Sequence, residues 1–266
     1  MKTMSRRDKL TDILGMIDLT SLTVSDTPSC IAAMVGKVND FKRRFPEYPV
    51  PASICVYPNF AATVASLRAD KALHITVVGG TFPASQSFLE VKILECTMAV
   101  RNGADEVDIV LPLNSFLDGR AEESRKEIME IGFAVRAERK DAIIKVILET
   151  GVLASDSLIR DASFLAMESG ADFIKTSTGK TSVSATPRAA ETMCGCIAEY
   201  YRKSGRKVGF KAAGGISKAE DALVYYDIVS NSLGNEWVDK RYFRFGASRL
   251  ANNILSELEG REVKYY

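Results

Sequence analysis

Two lysines set inside apolar strands are the residues of this sequence best suited to chemistry. Lys175 sits within Phe173-Ile174-Lys175-Thr176, just after the turn Gly170-Ala171-Asp172. Lys211 sits within Val208-Gly209-Phe210-Lys211-Ala212, just ahead of Gly214-Gly215. Burying an ammonium without partners is costly, so two such placements call for a reason. An amine attacks a carbonyl only when unprotonated, and a free lysine near pKa 10.4 is almost wholly protonated at neutral pH. Desolvation and a neighbouring cation both lower that value. Adjacent strands lie about 4.8 Å apart, so Lys211 can be the cation that perturbs Lys175. Asp108, within Glu106–Leu111, adds a carboxylate able to move protons through a water. The set suits Schiff-base chemistry: carbinolamine, iminium, enamine, then making or breaking a carbon–carbon bond. The same spacing also fits two salt-bridged structural lysines that react with nothing.

A second feature is an anion site. Gly214-Gly215-Ile216-Ser217 and Gly246-Ala247-Ser248-Arg249 each follow a strand and open a helix. Backbone N–H groups at such turns bind phosphate, and in barrels the site commonly falls in the last two loops. Ordinary strand-to-helix turns are the alternative. Ser177-Thr178-Gly179-Lys180-Thr181 is not a Walker loop, because Ile174 stands where the motif needs glycine, and no GxGxxG follows a strand. His74 is the only histidine, and the five cysteines (Cys30, Cys55, Cys96, Cys194, Cys196) lack zinc-type spacing. Chemistry that needs neither a metal nor histidine is therefore expected. The odd, scattered thiols read as reduced.

The elements that must position these residues alternate strictly. Strands are expected over Met16–Thr20, Ser53–Tyr57, His74–Val78, Glu106–Leu111, Ile143–Glu149, Phe173–Thr176, Val208–Ala212 and Tyr242–Phe245. Between them lie helical patterns over Pro28–Phe45, Ser87–Asn102, Glu122–Glu138, Ser157–Ser169, Pro187–Lys203, Ala219–Ser232 and Ala251–Leu258. Asp156, Thr186 and Ser217 stand at expected N-caps. Eight units with no linker point to an α/β fold of the (β/α)8 TIM-barrel type, one domain over residues 1–266 ending in a tail from about 259. Side-chain parity agrees. Asp18, Cys55, Asp108, Lys175 and Lys211 each oppose apolar neighbours, so one face of each strand can pack on helices while the other carries a polar group into the barrel.

Composition excludes other classes. Of 266 residues, 46 % are hydrophobic and 26 % charged, a normal globular balance. The net charge of +1 gives no electrostatic reason to bind nucleic acid or an anionic membrane. No apolar run reaches a membrane span. The polar start Met1–Lys9 opens no signal-type segment, so a cytoplasmic location is expected.

Several stretches, in order, resemble the deoxyribose-phosphate aldolases, a class I aldolase family. They are Ile17-Asp18-Leu19-Thr20-Ser21-Leu22, Ile54-Cys55-Val56-Tyr57-Pro58, Glu106-Val107-Asp108, Lys145 through Gly151, Ala171 through Lys180, Gly209 through Gly215, and Arg244 through Ser248. The resemblance runs from about Ile17 to Leu250. It implies that Lys175 forms the imine, Lys211 perturbs it and Asp108 serves the proton relay. It also implies that Asp18, Cys55 and Thr178 line the pocket, that Lys180 lies near the substrate phosphate, and that Gly214, Gly215 and Ser248 hold that phosphate; Arg249, by its place in the last turn, would add a charge there. Tyr266, the last residue, would reach the site from a mobile tail. No metal and no organic cofactor is implied. The partners would be a phosphosugar and aldehydes, with a homodimer as the assembly.

Three positions depart from the family pattern: Ala212 replaces a proline, Arg249 replaces a serine, and Gly79-Gly80-Thr81-Phe82-Pro83-Ala84-Ser85 lacks the usual histidine. The leading expectation is reversible cleavage of 2-deoxy-D-ribose 5-phosphate to glyceraldehyde 3-phosphate and acetaldehyde. An aldolase for another phosphorylated sugar, or a non-catalytic barrel that binds a sugar phosphate, are the alternatives.

Overall fold

A computed structural model describes residues 4–266. Met1–Thr3, the start of the polar N-terminal stretch, lie outside the described residues. Helix α1 (Arg6–Gly15) comes first. The barrel then runs β1 (Ile17–Thr20), α2 (Pro28–Arg44), β2 (Ser53–Val56), α3 (Ala61–Leu67), β3 (His74–Gly79), α4 (Leu89–Arg101) and β4 (Glu106–Val110). It continues through α5 (Leu113–Leu117), α6 (Ala121–Glu138), β5 (Ile143–Ile147), α7 (Thr150–Leu153), α8 (Asp156–Glu168) and β6 (Phe173–Lys175). The last elements are α9 (Pro187–Ser204), β7 (Gly209–Ala213), α10 (Ala219–Leu233), β8 (Phe243–Ala247) and α11 (Leu250–Glu259). All eight strands are parallel and β8 pairs with β1, closing a (β/α)8 barrel.

Burial on both faces explains the strand composition. Outward residues such as Ile54, Val107, Val146 and Phe210 join the core between sheet and helices. The inward positions follow from the register. Asp18 sits opposite Ser53, Asp108 opposite Lys145, Lys175 opposite Lys211, and Lys211 opposite Arg244. Partners in one row of a parallel sheet point to the same side, so these polar groups meet inside the barrel.

The four helices missing from the sequence reading, α1, α3, α5 and α7, are short. Helix α1 opens on a capping box between Ser5 and Asp8 and buries only a short stripe, Leu10, Ile13 and Leu14. Cap placement also differs. Ser155, not Asp156, accepts the first-turn N–H of α8. Helix α10 starts after Lys218 with no side-chain cap, so Ser217 does not serve that role. Thr186 caps α9 as expected.

Candidate active site

Seven ionisable side chains converge inside the barrel, all buried: Asp18, Glu106, Asp108, Lys145, Lys175, Lys211 and Arg244. Asp108 is the hub. Its Oδ2 accepts hydrogen bonds from Lys175 Nζ and Lys211 Nζ, each at 2.8 Å. Its Oδ1 accepts one from Lys145 Nζ at 2.8 Å. Lys145 also pairs with Glu106, and Lys211 with Asp18. Arg244 joins the lower layer, with Nη2 at 2.8 Å from Glu106 Oε1 and Nη1 on Asp18 Oδ1. Ser53 donates to Asp18 at 2.7 Å and Thr76 to Glu106 at 2.9 Å. The ring of His74, at the outer end of β3, lies 2.6 Å from Glu106.

Charge balance singles out one amine. Asp18, Glu106 and Asp108 supply three negative charges. Lys145, Lys211 and Arg244 supply three positive ones. A fourth cation in a closed, low-dielectric interior would be unbalanced, so the proton that costs least to remove is the one on Lys175. Burial pushes the Lys175 amine below its ordinary value; Asp108 opposes that push and Lys211 adds to it. Burial acts on Lys211 and Lys145 too, yet the carboxylates outweigh it and hold both lysines above the ordinary lysine value. Asp108 is held well below the usual carboxylate range, since its three lysines overcome the cost of burying it. The perturbing cation expected at Lys211 is thus present on the same carboxylate oxygen as Lys175. Desolvation nevertheless acts on Lys175 more strongly than Lys211 does.

Lys175 forms the floor of a cavity of about 300 Å³ at the C-terminal end of the strands, where barrel sites form. Its walls are Thr20–Thr23 from the end of β1 onward, Thr178–Lys180 after β6, Ala213–Ser217 from the end of β7 and Gly246–Arg249 from the end of β8. Gly214 and Gly215 take φ of +89° and +79°, a left-handed run open to glycine. Lys180 reaches across the mouth to the Leu22 carbonyl. Ser248 and Arg249 are exposed at the rim, where α11 begins. Gly246 has a second role: a Cβ there would lie 2.9 Å from Ala213 Cβ and 3.1 Å from Lys211 Cε, so its bare backbone leaves room for Lys211.

The structure gathers most of the residues picked from the sequence, at different depths. Lys175, Thr178, Lys180, Gly214, Gly215, Ser248 and Arg249 line the cavity. Asp18, Asp108 and Lys211 lie buried beneath its floor rather than on its wall. Cys55 is also buried, packed with Leu22 and Val78, and desolvation pushes its thiol up. Tyr266 is elsewhere. Its ring stacks on Phe41 of α2, centroids 5.6 Å apart, and its N–H donates to Asn252 of α11 at 2.8 Å. Apolar burial between two outer helices outweighs hydration of the ring, although the hydroxyl is left buried with no partner.

Lys145, Glu106 and Arg244 belong to the network but were not singled out from the sequence. Lys145 and Arg244 carry the same signal as Lys175, a lone cation in an apolar strand at inward parity. Glu149 was also missed. It is buried with a left-handed φ of +56°, accepts the N–H and hydroxyl of Thr178, and so holds the loop after β6. Among the described residues, no three His, Cys, Asp or Glu side chains gather where a metal could sit.

A closed parallel barrel with lysines and a carboxylate under a phosphate-type loop pair defines a lysine-centred (β/α)8 barrel. Residues 16–230 match the model of the DeoC/LacD family of aldolases, and the chain belongs to that family; it is a carbon–carbon lyase. A Caenorhabditis elegans protein provisionally named a deoxyribose-phosphate aldolase is 38 % identical over 97 % of this chain and 84 % of its own. Among solved structures, the aldolase QR15 superposes with a TM-score of 0.74 at 27 % identity, covering 93 % of this chain and 96 % of its own. A provisionally named deoxyribose-phosphate aldolase of Toxoplasma gondii shares the fold, with a TM-score of 0.79 at 21 % identity over 96 % of both chains.

Proposed function

We propose that the chain cleaves 2-deoxy-D-ribose 5-phosphate reversibly through an imine on Lys175. Lys175 Nζ attacks the C1 aldehyde of the open-chain sugar, and loss of water from the carbinolamine gives the iminium. The C3 hydroxyl then gives up its proton, the C2–C3 bond breaks and its electron pair flows into the iminium. Glyceraldehyde 3-phosphate leaves, and an enamine of two carbons stays on Lys175. Protonation at C2 and hydrolysis release acetaldehyde. Asp108, with Lys211 and Lys145 fixed on its oxygens, takes and returns these protons through water. The amides of Gly214, Gly215, Ser248 and Arg249, with Lys180, hold the phosphate.

The observation that supports this reading most is the position of Lys175. It is the buried lysine whose pKa is lowered, and it alone of the network's cations lines the cavity. The provisional name of the C. elegans relative supports the substrate. We further infer a homodimer in the cytoplasm. Support for the latter is that all five cysteines are free and that no helix among the described residues is long and apolar enough to cross a membrane.

The test is borohydride reduction in the presence of deoxyribose 5-phosphate, read by peptide mass spectrometry, beside a turnover assay with and without chelator. A reduced adduct on Lys175, lost with turnover in Lys175→Ala, is the expected result. Turnover that survives Lys175→Ala would sink the proposal, and turnover lost to chelator would contradict a metal-free route.

A further inference from the structure

His74, the only histidine of the chain, opens β3 at the N-terminal face of the barrel, the end opposite the cavity. Its side chain is 39 % exposed, whereas that of Glu106 beside it is fully buried. The ring Nδ1 lies 2.6 Å from Glu106 Oε1. From there polar contacts run without a break to the reacting amine. Glu106 pairs with Lys145, Lys145 donates to Asp108 Oδ1 at 2.8 Å, and Asp108 Oδ2 accepts from Lys175 at 2.8 Å. A carboxylate opposite Nδ1 keeps a proton on that nitrogen whatever the charge of the ring. The charge is then decided at Nε2, which has no partner among the described residues and is not buried, so water reaches it. Histidine is the side chain that ordinarily changes charge between about pH 5 and 8.

We propose that His74 is a positioning residue that tunes Lys175 from the far end of the barrel, through Glu106, Lys145 and Asp108. The proposal rests on the imine reading above and adds a residue to it. Inside the barrel three carboxylates already face Lys145, Lys211 and Arg244. A protonated His74 brings a further cation to Glu106, so a proton on Lys175 becomes a second surplus charge and is lost more readily. A neutral His74 withdraws that help. The sign follows: as acid charges His74, the new charge opposes protonation of Lys175, and the amine stays available further down the pH scale. At a separation on the order of 12 Å and an effective dielectric near 20, the effect is about tenfold. Water and salt at the exposed ring trim it toward about threefold. The other charged groups around the ring do not reverse it. Arg244 shares Glu106 Oε1 at 2.8 Å and is charged throughout. Asp141, ahead of β5, feels the His74 charge but pairs with Arg139. Asp105, ahead of β4, is held by Arg68 and Arg139. Across the sheet His74 sits opposite Ser53, which is neutral. Asp70 and Lys71, in the turn before β3, are exposed.

The initial rate of acetaldehyde-plus-cyanoborohydride labelling at Lys175, read by peptide mass spectrometry, tests this at about pH 5 and about pH 8.5, either side of the histidine range. The same comparison is made for kcat/KM with deoxyribose 5-phosphate. His74→Gln keeps a donor for Glu106 without the charge. It should match the parent in base and fall about three- to tenfold below it in acid. His74→Arg carries the charge at both pH values. It should match the parent in acid and exceed it about three- to tenfold in base. Equal rates for the parent and both variants would overturn the proposal. So would a loss by the same factor in acid and in base, the mark of a ring that merely seals the base of the barrel. Circular dichroism checks the fold, and if one variant does not fold the other decides. A parent chain that carries no adduct on Lys175 would instead overturn the imine reading, and this inference with it.

Discussion

Lys145→Met tests the charge balance that favours loss of a proton from Lys175. Lys145 does not line the cavity, yet it shares Asp108 with Lys175: Lys145 is on Oδ1, and Lys175 is on Oδ2 together with Lys211. Removing its charge leaves three carboxylates facing Lys211 and Arg244 alone, and Lys175 becomes the missing counter-ion. At a separation on the order of 6 Å and an effective dielectric near 20, two ammonium groups repel by roughly 3 kcal/mol. Losing that repulsion raises the pKa of Lys175, and roughly 3 kcal/mol corresponds to about a 100-fold smaller neutral fraction on the acid side. The rate on the acid side of that pKa should then fall about 100-fold, with the loss shrinking as pH rises. The assay is the pH profile of kcat/KM, which reports the free enzyme's groups. The buried acids left short of a partner also cost stability, about 3–5 kcal/mol, so the profile is measured well below the variant's Tm. Adding Glu106→Gln removes one negative charge, restores the balance, and should bring the profile back toward that of the parent. A folded Lys145→Met enzyme with an unshifted profile would refute the reasoning, and so would a double variant that stays displaced.

Three further outcomes follow from particular contacts. Gly246→Ala puts a methyl group against Ala213 and Lys211 Cε; it should cost about 1–3 kcal/mol and lower kcat with Tm, so a variant that matches the parent in both would contradict the packing. The carboxylates of Asp18, Glu106 and Asp108 are held below their ordinary values. The unfolded chain therefore binds more protons than the folded one below about pH 4, and stability falls as pH falls through that window; thermal melts should be flat from pH 5 to 7 on this account and drop steeply in acid. Tyr266→Phe removes a buried hydroxyl that has no partner; Tm should hold or rise, by up to about 2 kcal/mol in stability. A loss of stability would mean that the hydroxyl has a partner in solution.

The barrel was legible because its signals are local and repeated. Each strand is a short apolar run with one parity interrupted by a polar side chain, and that interruption marked the inward face at Asp18, Cys55, Asp108, Lys175 and Lys211. Lys145 and Arg244 carry the same mark. They escaped because an ion-pair network is a property of the closed barrel: nothing along the chain says that residues 18, 106 and 244 meet. The mutual effect of the two lysines was half legible. Their nearness followed from adjacent strands, but the weight of burial over the neighbouring charge depends on enclosure, which no spacing carries. Helix α10 shows the limit of capping rules, since Ser217 is a good cap by type and is not used. Tyr266 shows the limit of placing a terminus by resemblance, because its seat is chosen by Phe41 and Asn252 on two distant helices.

The pKa of the Lys175 amine is the quantity on which the mechanism turns. It is measured directly from the pH dependence of acetaldehyde-plus-borohydride labelling, with the adduct on each lysine counted by peptide mass spectrometry. Labelling at Lys175 should rise with a midpoint below 10.5, the ordinary value from which it is displaced, while Lys145 and Lys211 stay unlabelled. A midpoint at or above 10.5, or an adduct carried by Lys211, would contradict the account.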